Sequence, residues 1–203
     1  MKIALIAAAG NAGSRILAEL VSRGHHVTAI VRDTAKVPPR EGVTVVEGDG
    51  NQPAALAKLL TGHDAVISAA KFLHVKPENL IEAVRASGVT RYLVVGGAGS
   101  LTTADGTLEM DSPRFPAHVK PESGEGVRFL ALLQASPDLE WSFLSPSRFF
   151  GPGERTGKFR LGTDQMLFDD SGTSKISMED YAIALVDELE QGAHIRQRFT
   201  VGY

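Results

Sequence analysis

The chain predicts an α/β fold, a doubly wound parallel sheet flanked by helices. Its strands are apolar throughout, as strands buried on both faces must be, and they alternate with amphipathic helices along the whole length. The opening stretch carries the pattern most clearly. Ile3, Leu5 and the run to Ala9 read as a buried strand, and Gly10 and Gly13 then open a helix whose apolar face is Ile16, Leu17, Leu20 and Val21. Gly24 stops that helix, and His26 to Val31 form the second strand.

The same alternation continues. Val43 to Glu47 is a third strand, and the Asp49-Gly50-Asn51 turn leads to a helix begun by Pro53, with Leu56, Leu59 and Leu60 inward. Asp64 to Ala69 is a fourth strand, and Pro77 to Ser87 a helix closed by Gly88. Arg91 to Val95 is a fifth strand, Glu125 to Ala135 a helix, and Trp141 to Leu144 a sixth strand. Ser177 with Asp180 three residues on predicts a capping box for a helix running to about Gln191, and Arg198 to Val201 can close the sheet. Two irregular stretches, about 101–123 and 148–175, follow the fifth and sixth strands. Ligands of such sheets bind beyond the strands' carboxyl ends, so these excursions are expected to build a substrate pocket.

Size and charge bound the rest. The 203 residues, with no linker or repeat, predict one domain spanning 1–203. The formal net charge of −3 with mixed signs argues against nucleic-acid or membrane partners, and the absence of cysteine excludes disulfides and thiolate catalysis. The amino-terminal apolar run is broken by Gly10 and lacks a basic leader, so it reads as a core strand, and a cytoplasmic location is expected. The six histidines form no ligand pair, and no metal is expected; His118 reads either as a surface residue or as a proton donor reaching the cleft.

The turn Ala7-Ala8-Ala9-Gly10-Asn11-Ala12-Gly13 is a GxxGxxG pattern with Ala7 in the first glycine's place. A strand before it and a helix after it put unpaired backbone N–H groups at the positive end of a helix dipole, which suits the pyrophosphate of a dinucleotide. With negative φ, Ala7 fits without strain. At the end of the second strand, where an acid would favour a ribose hydroxyl, stands Arg32. A guanidinium there suits a 2′-phosphate, so NADP(H) is expected ahead of NAD(H); the alternative is an ion pair with Asp33.

The chain resembles the NADH-flavin reductases of the atypical short-chain dehydrogenase group, related to NmrA-like proteins and biliverdin reductase B. The strings that carry the resemblance are RYLVVGGAGSL, SPSRFFGPGERTGKFRLGTDQML, ISMEDYAIALVDELE and IRQRFTVGY. It implies a Rossmann-like fold in which Ala9, Gly10, Asn11, Ala12 and Gly13 cradle the pyrophosphate and Arg32 binds the adenosine ribose phosphate. Asp49 and Gly50 would sit near the adenine, or form only a turn, and Ser68, Ala69 and Ala70 would line the cofactor. Gly97 to Ser100 and Pro146, Ser147 and Phe149 would flank the nicotinamide.

Ketone-reducing short-chain dehydrogenases use a tyrosine four residues before a lysine, and none of the three tyrosines here has that partner. Flavin reduction needs no such acid, because hydride passes to a ring nitrogen and the proton comes from solvent. The candidate acceptor residues are Ser100 and Lys120 as catalytic groups, and Arg148, Phe150 and Arg155 as substrate contacts. Phe149 and Phe150 read as a stacking surface or as core. Arg155, Lys158 and Arg160 read as a phosphate site or as a solvated loop. GPGERTGK is not a P-loop, since Pro152 and Phe159 occupy positions that motif needs for glycine and a hydroxyl. The expected activity is NAD(P)H-dependent reduction of a small planar acceptor, FMN or FAD serving as substrate. A non-catalytic NADP(H) sensor of NmrA-like type is the alternative, and self-association into a homo-oligomer is open.

Overall fold

A computed structural model describes residues 1–203. The opening strand β1 spans Lys2–Ile6, helix α1 Asn11–Ser22 and strand β2 His26–Val31. Strand β3 is Val43–Glu47, α2 Pro53–Leu60, β4 Ala65–Ser68, α3 Pro77–Ser87 and β5 Arg91–Val95. Then come α4 (Lys120–Gln134), β6 (Glu140–Pro146), β7 (Phe149–Gly151), β8 (Arg160–Gly162), β9 (Lys175–Ser177), α5 (Met178–Gln191) and β10 (Gln197–Gly202).

The main sheet runs β3-β2-β1-β4-β5-β6-β10-β8. Every pairing in it is parallel except β10 with β8, an antiparallel edge. β7 and β9 form a separate parallel pair. The chain winds outward from β1 through β2 to β3, then crosses back to lay β4 on the other side of β1. That reversal opens a crevice at the carboxyl ends of β1 and β4.

Both faces of the sheet are covered, and the side-chain alternation shows it. Ile3 and Leu5 of β1 pack in one core with Ile16 and Leu20 of α1 and Tyr181 and Leu185 of α5. Their neighbours Ala4 and Ile6 pack in the opposite core with Leu56 of α2, Val84 of α3 and Phe129 of α4. A period-two strand with apolar residues at every position satisfies both layers at once.

Several boundaries differ from the sequence expectation. β1 ends at Ile6, so Ala7 to Ala9 belong to the turn. α4 begins at Lys120, well before the predicted Glu125, because Pro121 in its first turn suits a helix start; the first excursion is correspondingly shorter. The short strands β7 and β8 lie inside the second excursion and β9 starts at its end, all too brief to leave a periodic signal. At α5 the Ser177 hydroxyl caps the Asp180 N–H at 3.0 Å. The Asp180 carboxylate does not complete a reciprocal box; it accepts from the Thr156 and Gly157 amides instead.

Candidate functional site

A cleft of about 270 Å³ lies at the crevice where the strand order reverses. Its walls are the segments that leave the carboxyl ends of β1 to β4: Ala7, Ala9 and Gly10; Arg32, Asp33 and Lys36; Gly48, Asp49 and Gly50; and Ala69 to Lys71 with His74 and Val75.

The floor is the start of α1. Gly10 is its N-cap residue, no side chain caps the helix, and its first turn carries no acid. The contrast with α5, which has the Ser177 cap and Glu179 and Asp180 in its first turn, is direct. α2 is likewise without a side-chain cap or an early acid, but it is α1 whose positive end opens on the cleft, where it can receive an external anion. Gly13 brings the helix close to the turn: a β-carbon there would stand 2.2 Å from the Ala7 carbonyl oxygen. Gly10 is less constrained, at 3.3 Å from the same oxygen.

Ala7 corrects an expectation. Its φ is +61°, in the left-handed region that glycine normally occupies. The turn closes through the Gly10 N–H donating to the Ala7 carbonyl at 3.0 Å, and that geometry forces the alanine into the disfavoured well.

Arg32 is exposed on the rim and makes no ion pair or side-chain hydrogen bond within the protein. Asp33 does not pair with it: its carboxylate accepts from the Ala35 N–H at 3.1 Å and lies 3.8 Å from Lys36. Lys71 is likewise unpaired, so Arg32, Lys36 and Lys71 outnumber Asp33 and Asp49 around the cleft. This surplus of positive charge fits phosphates. Asp49 combines both readings made of it, since its carboxylate turns the chain by accepting from the Asn51 N–H at 2.9 Å and it also lines the cleft. Gly50 is held against Val75, whose methyl lies 2.6 Å from where a β-carbon would stand.

The cleft thus brings together Ala9, Gly10, Arg32, Asp49, Gly50, Ala69 and Ala70. Asn11, Ala12 and Gly13 form the first turn of α1 beneath it, and Ser68 is buried at the end of β4. Sequence reasoning missed Lys36, Lys71, His74 and Val75, which lie outside the glycine motif and enter through loop geometry. The basic residues at 36 and 71, each shortly after a strand, were the only signal available.

The residues chosen for the acceptor end are not gathered in this cleft. Gly97 lies beyond β5 against the Phe72 ring, and Pro146 ends β6. Ser100 is buried, its hydroxyl 3.2 Å from the Gly97 carbonyl and 3.3 Å from the Ser145 hydroxyl. Lys120 is exposed at the start of α4, and His118 is exposed just before it. Ser147 is buried and donates to the Val201 carbonyl at 2.9 Å. Arg148 pairs with the buried Glu109 at 2.8 Å. Phe149, 63 % exposed, lies with Phe150 and Lys158 in a separate open depression, where Phe150 also packs on Tyr181 at 4.7 Å.

Arg155 corrects the substrate-phosphate expectation. Its Nε and Nη2 each reach a Glu19 carboxylate oxygen at 3.0 Å, so α1 has already claimed this guanidinium. Arg160 is similarly occupied, by the Phe168 and Tyr203 carbonyls.

No tyrosine offers a proton to the cleft. Tyr92 and Tyr181 are fully buried, which drives both phenols far above their ordinary value, and Tyr181 donates to the Leu144 carbonyl at 2.7 Å. Tyr203 bonds to the Asp180 carboxylate at 2.8 Å, and its pKa is raised, chiefly by burial. No group of three or more His, Asp or Glu side chains converges to hold a metal, and no helix is long and apolar enough to cross a membrane.

An eight-stranded sheet with an uncapped helix at its reversal point defines a dinucleotide-binding α/β protein. The profile of the NAD(P)H-binding family matches residues 7–191, and the chain belongs to that family. It is 42 % identical over 211 residues to YwnB of Bacillus subtilis, covering 99 % of this chain and 98 % of that one. It is similar to a structure from Bacteroides thetaiotaomicron named a "putative epimerase", with a TM-score of 0.95, 41 % identity and coverage of 100 % and 96 %. A "putative NADH-flavin reductase" from Streptococcus pneumoniae superposes with a TM-score of 0.87 at 39 % identity, covering 100 % of this chain and 99 % of that one.

Proposed function

We propose that the protein is a nicotinamide-dependent reductase, preferring NADP(H), that delivers hydride to a flavin or a similarly planar acceptor. The observation that carries the cofactor half is the uncapped amino terminus of α1 beside an unpaired Arg32. Bound nicotinamide supplies the hydride; the chain supplies position. The amides at the start of α1 would hold the pyrophosphate, Arg32 with Lys36 beside it would meet the 2′-phosphate, and the 69–75 loop would wall the adenosine half.

The acceptor half is supported by what the phenols are doing. With all three tyrosines buried or bonded elsewhere, reduction of a ketone lacks its acid, whereas a flavin takes its proton from water. The same absence weighs against an epimerase chemistry that relies on tyrosine. The name borne by the Streptococcus pneumoniae relative points the same way. A cytoplasmic location accompanies this reading.

The test is turnover. Purified protein with NADPH and excess FMN is expected to consume nicotinamide absorbance well above the uncatalysed background, and faster than with NADH. Tight NADP(H) binding without turnover across flavins, quinones and tetrapyrroles would replace this reading with that of a nucleotide-binding sensor.

A further inference from the structure

We propose that Glu122 is a positioning residue for the nucleotide cleft, holding from α4 the loop that forms one of its walls. The proposal rests on the dinucleotide lying in that cleft. Ala69, Ala70, Lys71, His74 and Val75 line it, so the path of this loop sets its width.

The loop has little structure of its own. Ala69 N–H still bonds to the Ile6 carbonyl at 3.0 Å, and one internal bond joins the His74 N–H to the Lys71 carbonyl at 3.0 Å. The Phe72 and Leu73 amides in its middle are instead bonded by a side chain from a distant element. Glu122 Oε1 accepts from the Phe72 N–H at 2.8 Å, and Oε2 accepts from the Leu73 N–H at 3.0 Å. Both carboxylate oxygens are thus spent on consecutive amides, 49 and 50 residues away in sequence.

The neighbouring contacts make the clamp directional. The Phe72 ring stacks on Phe143 with centroids 6.4 Å apart and meets Phe129 edge-on at 6.1 Å. It occupies space that exists because residue 126 is glycine, where a β-carbon would lie 2.7 Å from the ring. At the far end, Asn51 donates to the His74 carbonyl at 2.8 Å and accepts from the Lys76 N–H at 3.1 Å. Phe72 pulls the loop inward, Asn51 fixes its exit, and Glu122 sets the two amides between. Glu122 stands just after the excursion that follows β5, so it also ties the helix bounding that excursion to the nucleotide wall.

The experiment compares the wild-type protein with Glu122→Ala and Glu122→Gln, using Arg32→Asp as a reference. Calorimetry with NADPH and with NADH is combined with hydrogen exchange on the nucleotide-free proteins. Glu122→Ala is expected to weaken both nucleotides equally, by about tenfold, because the wall it holds serves parts common to both. Glu122→Gln keeps one acceptor oxygen and is expected to recover part of that loss. Exchange should rise within residues 69–76 while the sheet stays protected, a signature that general destabilisation does not produce. Affinities within about twofold of wild type for Glu122→Ala overturn the proposal, as does accelerated exchange spread across the sheet in both variants. Failure of the underlying reading looks different: Arg32→Asp would then leave NADPH binding unchanged, or the wild-type protein would bind neither nucleotide.

Discussion

The carbonyl oxygen of Ala7 lies 2.2 Å from the point where a β-carbon on Gly13 would stand. That spacing joins the end of β1 to the first turn of α1 so tightly that no side chain fits between them. Gly13→Val is therefore expected to abolish binding of both NADPH and NADH, a loss of more than about a hundredfold, since backbone rather than a flexible side chain must move. Calorimetry on the folded variant checks it, and retained binding would displace the nucleotide from this turn.

In the proposed reading, Arg32 meets the other end of the same ligand. Reversing its charge with Arg32→Asp is expected to lower NADPH affinity by about tenfold or more, with little change for NADH. Equal losses for the two nucleotides would remove Arg32 from the 2′-phosphate role. Lys36→Glu should act in the same direction and less strongly, because Asp33 already lies 3.8 Å from that lysine.

The left-handed alanine is a store of strain. At φ +61°, Ala7→Gly is expected to stabilise the fold by about 0.5–1 kcal/mol, the relief of the alanine's strain less the added freedom of glycine in the unfolded chain. For a chain of this size that corresponds to a thermal midpoint higher by about 1–4 °C. A lower midpoint in a thermal melt would mean that the methyl has packing value here exceeding its conformational cost.

At the opposite end of the sheet, Glu188 is buried beside Arg91 at 2.8 Å. Burial pushes its carboxyl up, but hydrogen bonds from His194 and Ser142, with the Arg91 charge, bring it below its ordinary value of 4.5. A carboxylate whose folded pKa is depressed contributes stability that is whole above the unfolded value. That contribution fades as pH falls through the folded one. The protein is expected to lose stability below pH about 4.5, with Glu19, Glu179, Asp180 and Glu190 adding in the same direction. Glu188→Ala is expected to cost about 3–5 kcal/mol at neutral pH by stranding Arg91. Denaturant titrations across pH check both; an acid-induced loss as large in Glu188→Ala as in the wild type would remove Glu188 from the acid response.

Much of the scaffold was legible because it is locally encoded. β2, β3, α3 and β5 begin and end at the predicted residues, where apolar runs are bounded by glycine, proline or charge. The start of α4 was not, since the apolar periodicity begins only after its first turn and Pro121 was the sole signal. The cleft divided in the same way. Gly10, Arg32 and Asp49 follow strands at spacings that a repeating β–α pattern makes readable. Lys71, His74 and Val75 do not, because the loop carrying them is shaped by Glu122 and Asn51 from distant elements.

By itself, then, the order of residues determined a two-faced parallel sheet and the place of the glycine turn that opens α1. Burial periodicity and glycine placement act between near neighbours and survive as pattern. Only the folded chain decided which charges stay free. Arg155 and Arg32 look alike as exposed arginines, yet Arg155 is held by both oxygens of Glu19 while Arg32 keeps no partner. Ion pairing depends on which surfaces the fold brings within a few ångströms, and that proximity is absent from linear spacing.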